Sequence, residues 1–182
     1  MIITVTGTIG AGETVLCDIF EEKGFKKVSL SDILREKLRE MGKPVIRDNL
    51  RDLGDSLRKQ NGPDALAKLA WEKIKSGNNW VIDSVMSQGE MDFLKSNGAY
   101  SIGITAPDKV RYERIVGRDK GVQEKFPSFE EFISIDNHDR TIGVDEILEN
   151  ADIIINNDGT IENLKEIVDM IIETISSSRA QN

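Results

Sequence analysis

The residues best suited to chemistry stand at the start of the chain: Gly7-Thr8-Ile9-Gly10-Ala11-Gly12-Glu13-Thr14. The glycines have the spacing of a phosphate-binding P-loop, with a glutamate where that pattern places lysine. Such a loop lets successive backbone N–H groups converge on phosphate oxygens, a following helix adds positive potential, and the Thr14 hydroxyl is suited to Mg²⁺. Glu13 brings a carboxylate to the point where a cation normally bridges the terminal phosphates. A carboxylate there repels the polyanion unless a metal or a proton intervenes.

A loop of this kind works only between a strand and a helix. Ile2-Ile3-Thr4-Val5-Thr6 reads as a buried strand and Thr14-Val15-Leu16-Cys17-Asp18-Ile19-Phe20 as the start of a helix. Beyond it, strands and helices alternate. Strands are expected at 26–30, 80–83, 100–105 and 152–156, and helices at 32–41, 49–59, 64–75, 88–96, 106–116, 144–149 and from 161 onward. Gly42-Lys43-Pro44 and Asn61-Gly62-Pro63 act as breaks. Ser128-Phe129-Glu130-Glu131 has the form of a capping box, and 119–127 lacks apolar periodicity and reads as a loop. Ile161, Leu164, Ile167, Val168, Ile171, Ile172 and Ile175 recur at helical spacing behind a Thr160 cap and are expected to face the core; 176–182 is polar and expected to fray.

Five strands alternating with helices imply an α/β fold, a five-stranded parallel sheet covered on both faces as three layers. Ligands of such sheets bind beyond the carboxyl ends of the strands. The P-loop, Asp32, Asp83 and Asn157-Asp158-Gly159 all follow strands and should therefore share one edge.

With 182 residues the chain suits a single domain, and the excess of 32 acidic over 24 basic residues, a net charge of −8, argues against nucleic acid as a partner. Small anions remain suitable, because local arginines and backbone amides can hold a phosphate inside an acidic protein. No apolar stretch suggests a membrane span, Met1-Ile2-Ile3 lacks a basic leader, and the single Cys17, expected in the core, fits a reducing cytoplasm. His138 lacks metal-spaced partners and is expected at the surface, while Trp71 and Trp80 are expected to pack.

Taken together, the motifs resemble those of the P-loop nucleoside monophosphate kinases and dephospho-CoA kinases, most closely the small archaeal adenylate-kinase-related proteins. The resemblance spans Gly7 to Leu164. Ser31-Asp32-Ile33-Leu34-Arg35 is similar to an acceptor-site segment, Val110-Arg111-Tyr112-Glu113-Arg114-Ile115-Val116-Gly117-Arg118 to a helix entering a lid, and Asn157 to Leu164 to a segment near the adenine. It implies ATP with Mg²⁺ as donor, a small phosphorylated acceptor, a helical acceptor-binding region at about 31–77 and a short lid at about 117–140.

By that resemblance Gly7, Gly10, Ala11, Gly12, Glu13, Thr14, Val15, Asn157 and Gly159 surround the nucleotide, and Thr14 and Asp83 stand on the metal side. Arg114 and Arg118 close on the donor phosphates, Arg35 and Arg140 hold substrate, and Asp32 orients or deprotonates an acceptor hydroxyl. Two plainer readings stand beside these roles. Arg111, Arg114 and Arg118 can form a solvated face paired with Asp108 and Glu113, and Asp32 can be a helix N-terminal charge. Met86 marks a second departure, since related proteins tend to carry an arginine there. A working kinase, a non-catalytic nucleotide-binding regulator and a partner-binding domain are the readings that result.

Overall fold

The computed structural model describes residues 1–117 and 128–180. Its centre is a five-stranded, all-parallel sheet in the order β2-β3-β1-β4-β5. The strands are β1 (Ile2–Gly7), β2 (Lys26–Ser29), β3 (Trp80–Asp83), β4 (Tyr100–Thr105) and β5 (Ile153–Asn156). The helices are α1 (Glu13–Glu22), α2 (Leu30–Glu40), α3 (Arg47–Asn61), α4 (Ala65–Trp71), α5 (Gln88–Ser96), α6 (Asp108–Val116), α7 (Phe129–Asp139), α8 (Asp145–Glu149) and α9 (Ile161–Ala180).

Alternate strand residues serve opposite faces, as a period of two requires. Ile3, Val5, Val81, Ile102 and Ile155 pack with Leu16, Cys17 and Phe20 of α1 and Leu164, Val168 and Ile171 of α9. Val28 and Ile82 face the other way, against Ile33 and Leu34 of α2, Leu66 and Ala70 of α4, Met91 and Leu94 of α5 and Ile147 of α8. Burial on both faces explains why the strands read as apolar runs rather than alternating ones.

Several boundaries move. The helix expected at 64–75 is the shorter α4, because Lys73 and Ile74 donate to the carbonyls of Ala70 and Trp71 three residues back, tightening the chain out of the α-helix. Ile161 is 54% exposed and leaves the core stripe, lying in the first turn of α9 before that helix meets the sheet. The expected fraying from 176 is corrected as well: α9 continues to Ala180. Its Thr160 cap is present, accepting from the Asn163 N–H at 3.2 Å. Ser128 caps α7 by accepting from Glu131. Between α7 and α8 lies a π-helical turn, Arg140–Val144, broken at Gly143, whose φ is 138°.

A candidate phosphate-transfer site at the strand ends

The loop between β1 and α1 has the backbone its glycines foretell. Gly10 and Gly12 have φ of 79° and 112°, conformations that an L side chain resists. Close approach is the second reason: a Cβ on Gly7 would stand 2.5 Å from the Ile104 carbonyl oxygen, and one on Gly12 2.6 Å from Asn157 Nδ2. The loop's carbonyls are held from outside. Ile9 accepts from Arg111 Nη1 at 2.9 Å, and Ala11 accepts from Asn157 Nδ2 at 2.8 Å and from Arg114 Nη1 at 3.4 Å. A loop engaged through its outer carbonyls keeps the concave side for N–H groups and a ligand.

A buried side chain points to what that ligand is. Thr8 is 2% exposed, and among the described residues its Oγ1 is a buried side-chain oxygen with no hydrogen-bond partner. It lies on a cavity of about 120 Å³ shared with Gly7, Glu13, Met86, Asp139 and Arg140. An orphaned hydroxyl beside an arginine and a glycine-rich turn fits an anion as its missing partner. Glu13 lies in the first turn of α1 with its side chain folded back toward Gly7, its Cγ 3.0 Å from where a Gly7 Cβ would be. That carboxylate takes up part of the helix N-terminal potential that a phosphate would otherwise use.

A second cavity, of about 280 Å³, begins at Glu13 and Thr14 and runs past Lys27, Ser29 and Asp83 to Asp32 and Arg35. Asp83 is buried at the end of β3. Burial raises its carboxyl above the ordinary aspartate value; Lys27 and hydrogen bonds from Ser84 oppose the rise without cancelling it. Ser84 has a φ of 63°, a strained conformation for a serine, at the junction of two cavities. Its hydroxyl meets that of Ser31 at 3.0 Å, and Ser31 meets Ser29 at 3.1 Å, joining the ends of β3, α2 and β2.

Beyond Ser84 opens the largest of these cavities, about 690 Å³, over the helices α2, α3 and α4. Leu30, Leu34, Leu50 and Leu66 line it together with Arg35, Arg47, Arg51 and Arg58. Arg58 is held at 2.9 Å by Glu90, a fully buried carboxylate that also accepts from the Met86 and Ser87 N–H groups. Arg35 is held at 2.8 Å by Asp32 and at 3.1 Å by Ser31. Asp32 is therefore both a first-turn charge on α2 and part of the cavity wall.

The structure places Gly7, Glu13, Thr14, Asp32, Arg35, Asp83 and Arg140 on the walls of these cavities, with Asn157 on the Ala11 carbonyl of the loop beside them. Gly10, Ala11, Gly12, Val15, Arg114, Asn157 and Gly159 line none of the three cavities. Arg118 and the loop at 119–127 lie outside the described residues. Arg111 is a correction to the solvated-face alternative: it is 0% exposed, clasped by both oxygens of buried Asp136, with Asp108, Ala106 and Ile9 taking the remaining donors. It braces the P-loop rather than lying in solvent. Thr8, Lys27 and Asp136 escaped the sequence reading, and so did Arg47, Arg51 and Arg58. The last three had a signal, because offsets of four and seven put them on one face of a helix. His138, Trp71, Trp80 and Cys17 fall where expected, at the surface and in the core.

A glycine-rich cradle at the carboxyl edge of a parallel sheet, flanked by a buried acid and a basic cleft, defines a P-loop kinase-like, nucleotide-binding fold. The chain belongs to the AAA domain family, whose profile matches residues 3–142, and to the UPF0200 proteins. A UPF0200 protein of Sulfurisphaera tokodaii is 33% identical over 96% of this chain and 97% of its own length. One from Thermococcus kodakarensis is 31% identical over 96% of this chain and all of its own. Among solved structures, shikimate kinase from Bacteroides thetaiotaomicron superposes with a TM-score of 0.65 at 16% identity, covering 95% of this chain and 98% of that one. That likeness concerns the fold. No helix among the described residues is long and apolar enough to cross a membrane.

Proposed function

We propose that this protein binds ATP in the P-loop and transfers its terminal phosphoryl group to a small phosphorylated acceptor, a nucleotide or a dephospho-CoA-like molecule, held over α2–α4. The observation that carries the reading is the continuity of the site. The cradle with its orphaned Thr8 hydroxyl opens at Ser84 and Met86 into the cleft lined by Arg35, Arg47, Arg51 and Arg58. Its volume of about 690 Å³ is of the size that small-molecule sites commonly have.

Phosphoryl transfer consists largely of positioning and charge neutralisation. An acceptor oxygen attacks the γ-phosphorus, the bond to the bridging oxygen breaks, and ADP leaves with that electron pair. Thr14 and Asp83 would hold Mg²⁺, which characteristically takes one or two protein ligands, several waters and substrate phosphates, and neutralises charge on the transferring group. Thr8 and Arg140 would face the migrating group, Arg114 the donor side, and Asn157 and Gly159 the base. Arg35 and its neighbours would clamp the acceptor's phosphate, and Asp32 would orient its nucleophile. The similarity of Ser31-Asp32-Ile33-Leu34-Arg35 to the acceptor-site segment of adenylate-kinase-like enzymes supports a nucleotide acceptor.

Glu13 and Met86 favour a second reading, in which nucleotide is bound and turnover is lost, the protein acting as a regulator. Calorimetric titration of ATP with and without Mg²⁺, on the unmodified chain and on Glu13→Lys, separates the two when paired with transfer assays over a panel of nucleotide acceptors. Transfer by the unmodified chain supports the kinase. Binding without transfer, with turnover appearing in Glu13→Lys, supports the regulator. Absence of ATP binding by both proteins refutes the nucleotide reading.

A further inference from the structure

A triphosphate bound in this loop meets a carboxylate at position 13, so its charge must be balanced from elsewhere. Arg111 has all of its donors engaged by protein, Arg140 is paired with Asp136 and Asp145, and Arg114 reaches the Ala11 carbonyl. These cations come from α6 and the π turn. On the opposite side, where Thr14 and Asp83 stand, the cavity wall includes Lys27 of β2.

Lys27 is suited to move a charge into that cavity. Its side chain is 20% exposed, and its Nζ lies 3.3 Å from Asp18 Oδ1, looser than a close charge-assisted bond, with Asp18 itself 57% exposed. Burial works against the ammonium, but the neighbouring carboxylates of Asp18 and Asp83 favour it, and Lys27 stays above the ordinary lysine value and charged at neutral pH. The acids facing it are Asp18 and Glu13 from α1, Asp83 from β3 and Asp32 from α2; the other cation of the cavity, Arg35, is occupied by Asp32. Asp18 follows Thr14 by four residues on α1, one turn away, a distance a four-carbon stem can cover by rotating.

We propose that Lys27 supplies from β2 the positive charge that position 13 lacks, leaving Asp18 to meet the phosphate chain of a bound nucleoside triphosphate on the Thr14–Asp83 side of the loop. This rests on the proposed nucleotide site and adds the residue that makes the site electrostatically workable. Because Lys27 stands on the side suited to the metal, it also lowers the dependence of binding on Mg²⁺.

Calorimetric titration of ATP, once with Mg²⁺ and once with a chelator, tests this on the unmodified chain, Lys27→Met, Asp18→Asn and Lys27→Met/Glu13→Lys. A charged hydrogen bond of the usual strength makes Lys27→Met bind about tenfold or more weakly, with the larger loss in chelator. Asp18→Asn should tighten binding by freeing the ammonium, and Glu13→Lys should restore the affinity lost in Lys27→Met. If the unmodified chain binds ATP while Lys27→Met binds within about twofold of it, the Lys27 assignment is overturned and the nucleotide site stands. If the unmodified chain binds none, the nucleotide reading falls and Lys27 with it. Should Lys27→Met not fold, Asp18→Asn decides alone: an unchanged affinity overturns the assignment.

Discussion

Replacing Asp136 by alanine tests whether the P-loop is braced by a buried ion pair. Arg111 is fully buried and donates to both carboxylate oxygens of Asp136, at 2.6 and 2.7 Å, with its guanidinium 5.1 Å from the centre of the Phe132 ring. Burial opposes its charge, and Asp136 together with Asp108 more than compensates. Removing one member of such a pair generally costs about 3–5 kcal/mol, because the other charge stays buried. Asp108 at 2.7 Å and the carbonyls of Ile9 and Ala106 remain as partners, which places the expected loss near the lower end, about 3 kcal/mol. For a chain of this size that is a fall in Tm of about 6–12 °C. Urea unfolding supplies the free energy, and hydrogen exchange at the loop amides should accelerate as Arg111 loosens its grip on Ile9. The double variant Arg111→Met/Asp136→Leu, which removes both charges, should be more stable than Asp136→Ala. A loss below about 1 kcal/mol in Asp136→Ala, or a double variant less stable than the single one, would refute the argument.

Two further outcomes follow from the site's charges. Asp83 has its carboxyl raised by burial above the ordinary 3.8, so the folded protein holds this proton more tightly than the unfolded chain does. Its contribution is thus fully present below about pH 4 and is lost as pH rises through the folded value. Asp83→Asn should accordingly raise Tm at pH 7 and give no gain at pH 4, as thermal unfolding at the two pH values will reveal; an equal effect at both would contradict the assignment. Glu90→Ala removes the partner of Arg58 and the reciprocal half of the α5 capping box. It should cost about 2–4 kcal/mol in denaturant unfolding, and a loss under about 1 kcal/mol would show that Arg58 and the cap find other partners.

What was legible in the sequence was what neighbouring residues settle among themselves. The alternation of apolar runs and helical stripes located the five strands, two of them to the residue and the other three within one residue at one end, because strand burial and turn chemistry are local. The loop could be read because glycine spacing encodes a backbone shape. The shared edge could be read because parallel topology sends every strand's carboxyl end the same way. Helix ends were less legible: α4 stops early and α9 runs long, since tertiary packing adds to or overrides the propensity of a terminal turn.

The sequence by itself determined the α/β class, the P-loop with its misplaced carboxylate, and the acids and bases available at one edge. Tertiary structure alone decided which of them are spent and which are in reach. Arg111 and Arg114 differ by a single helical turn, yet the first is enclosed by Asp136 and Phe132 and the second reaches the Ala11 carbonyl. Thr8 became a candidate for the site only because folding buried its hydroxyl without a partner, and Lys27 only because β2 lies beside β3. The physical reason is that charge and hydrogen-bonding capacity are properties of a residue, whereas desolvation and pairing are properties of the space into which the whole chain folds.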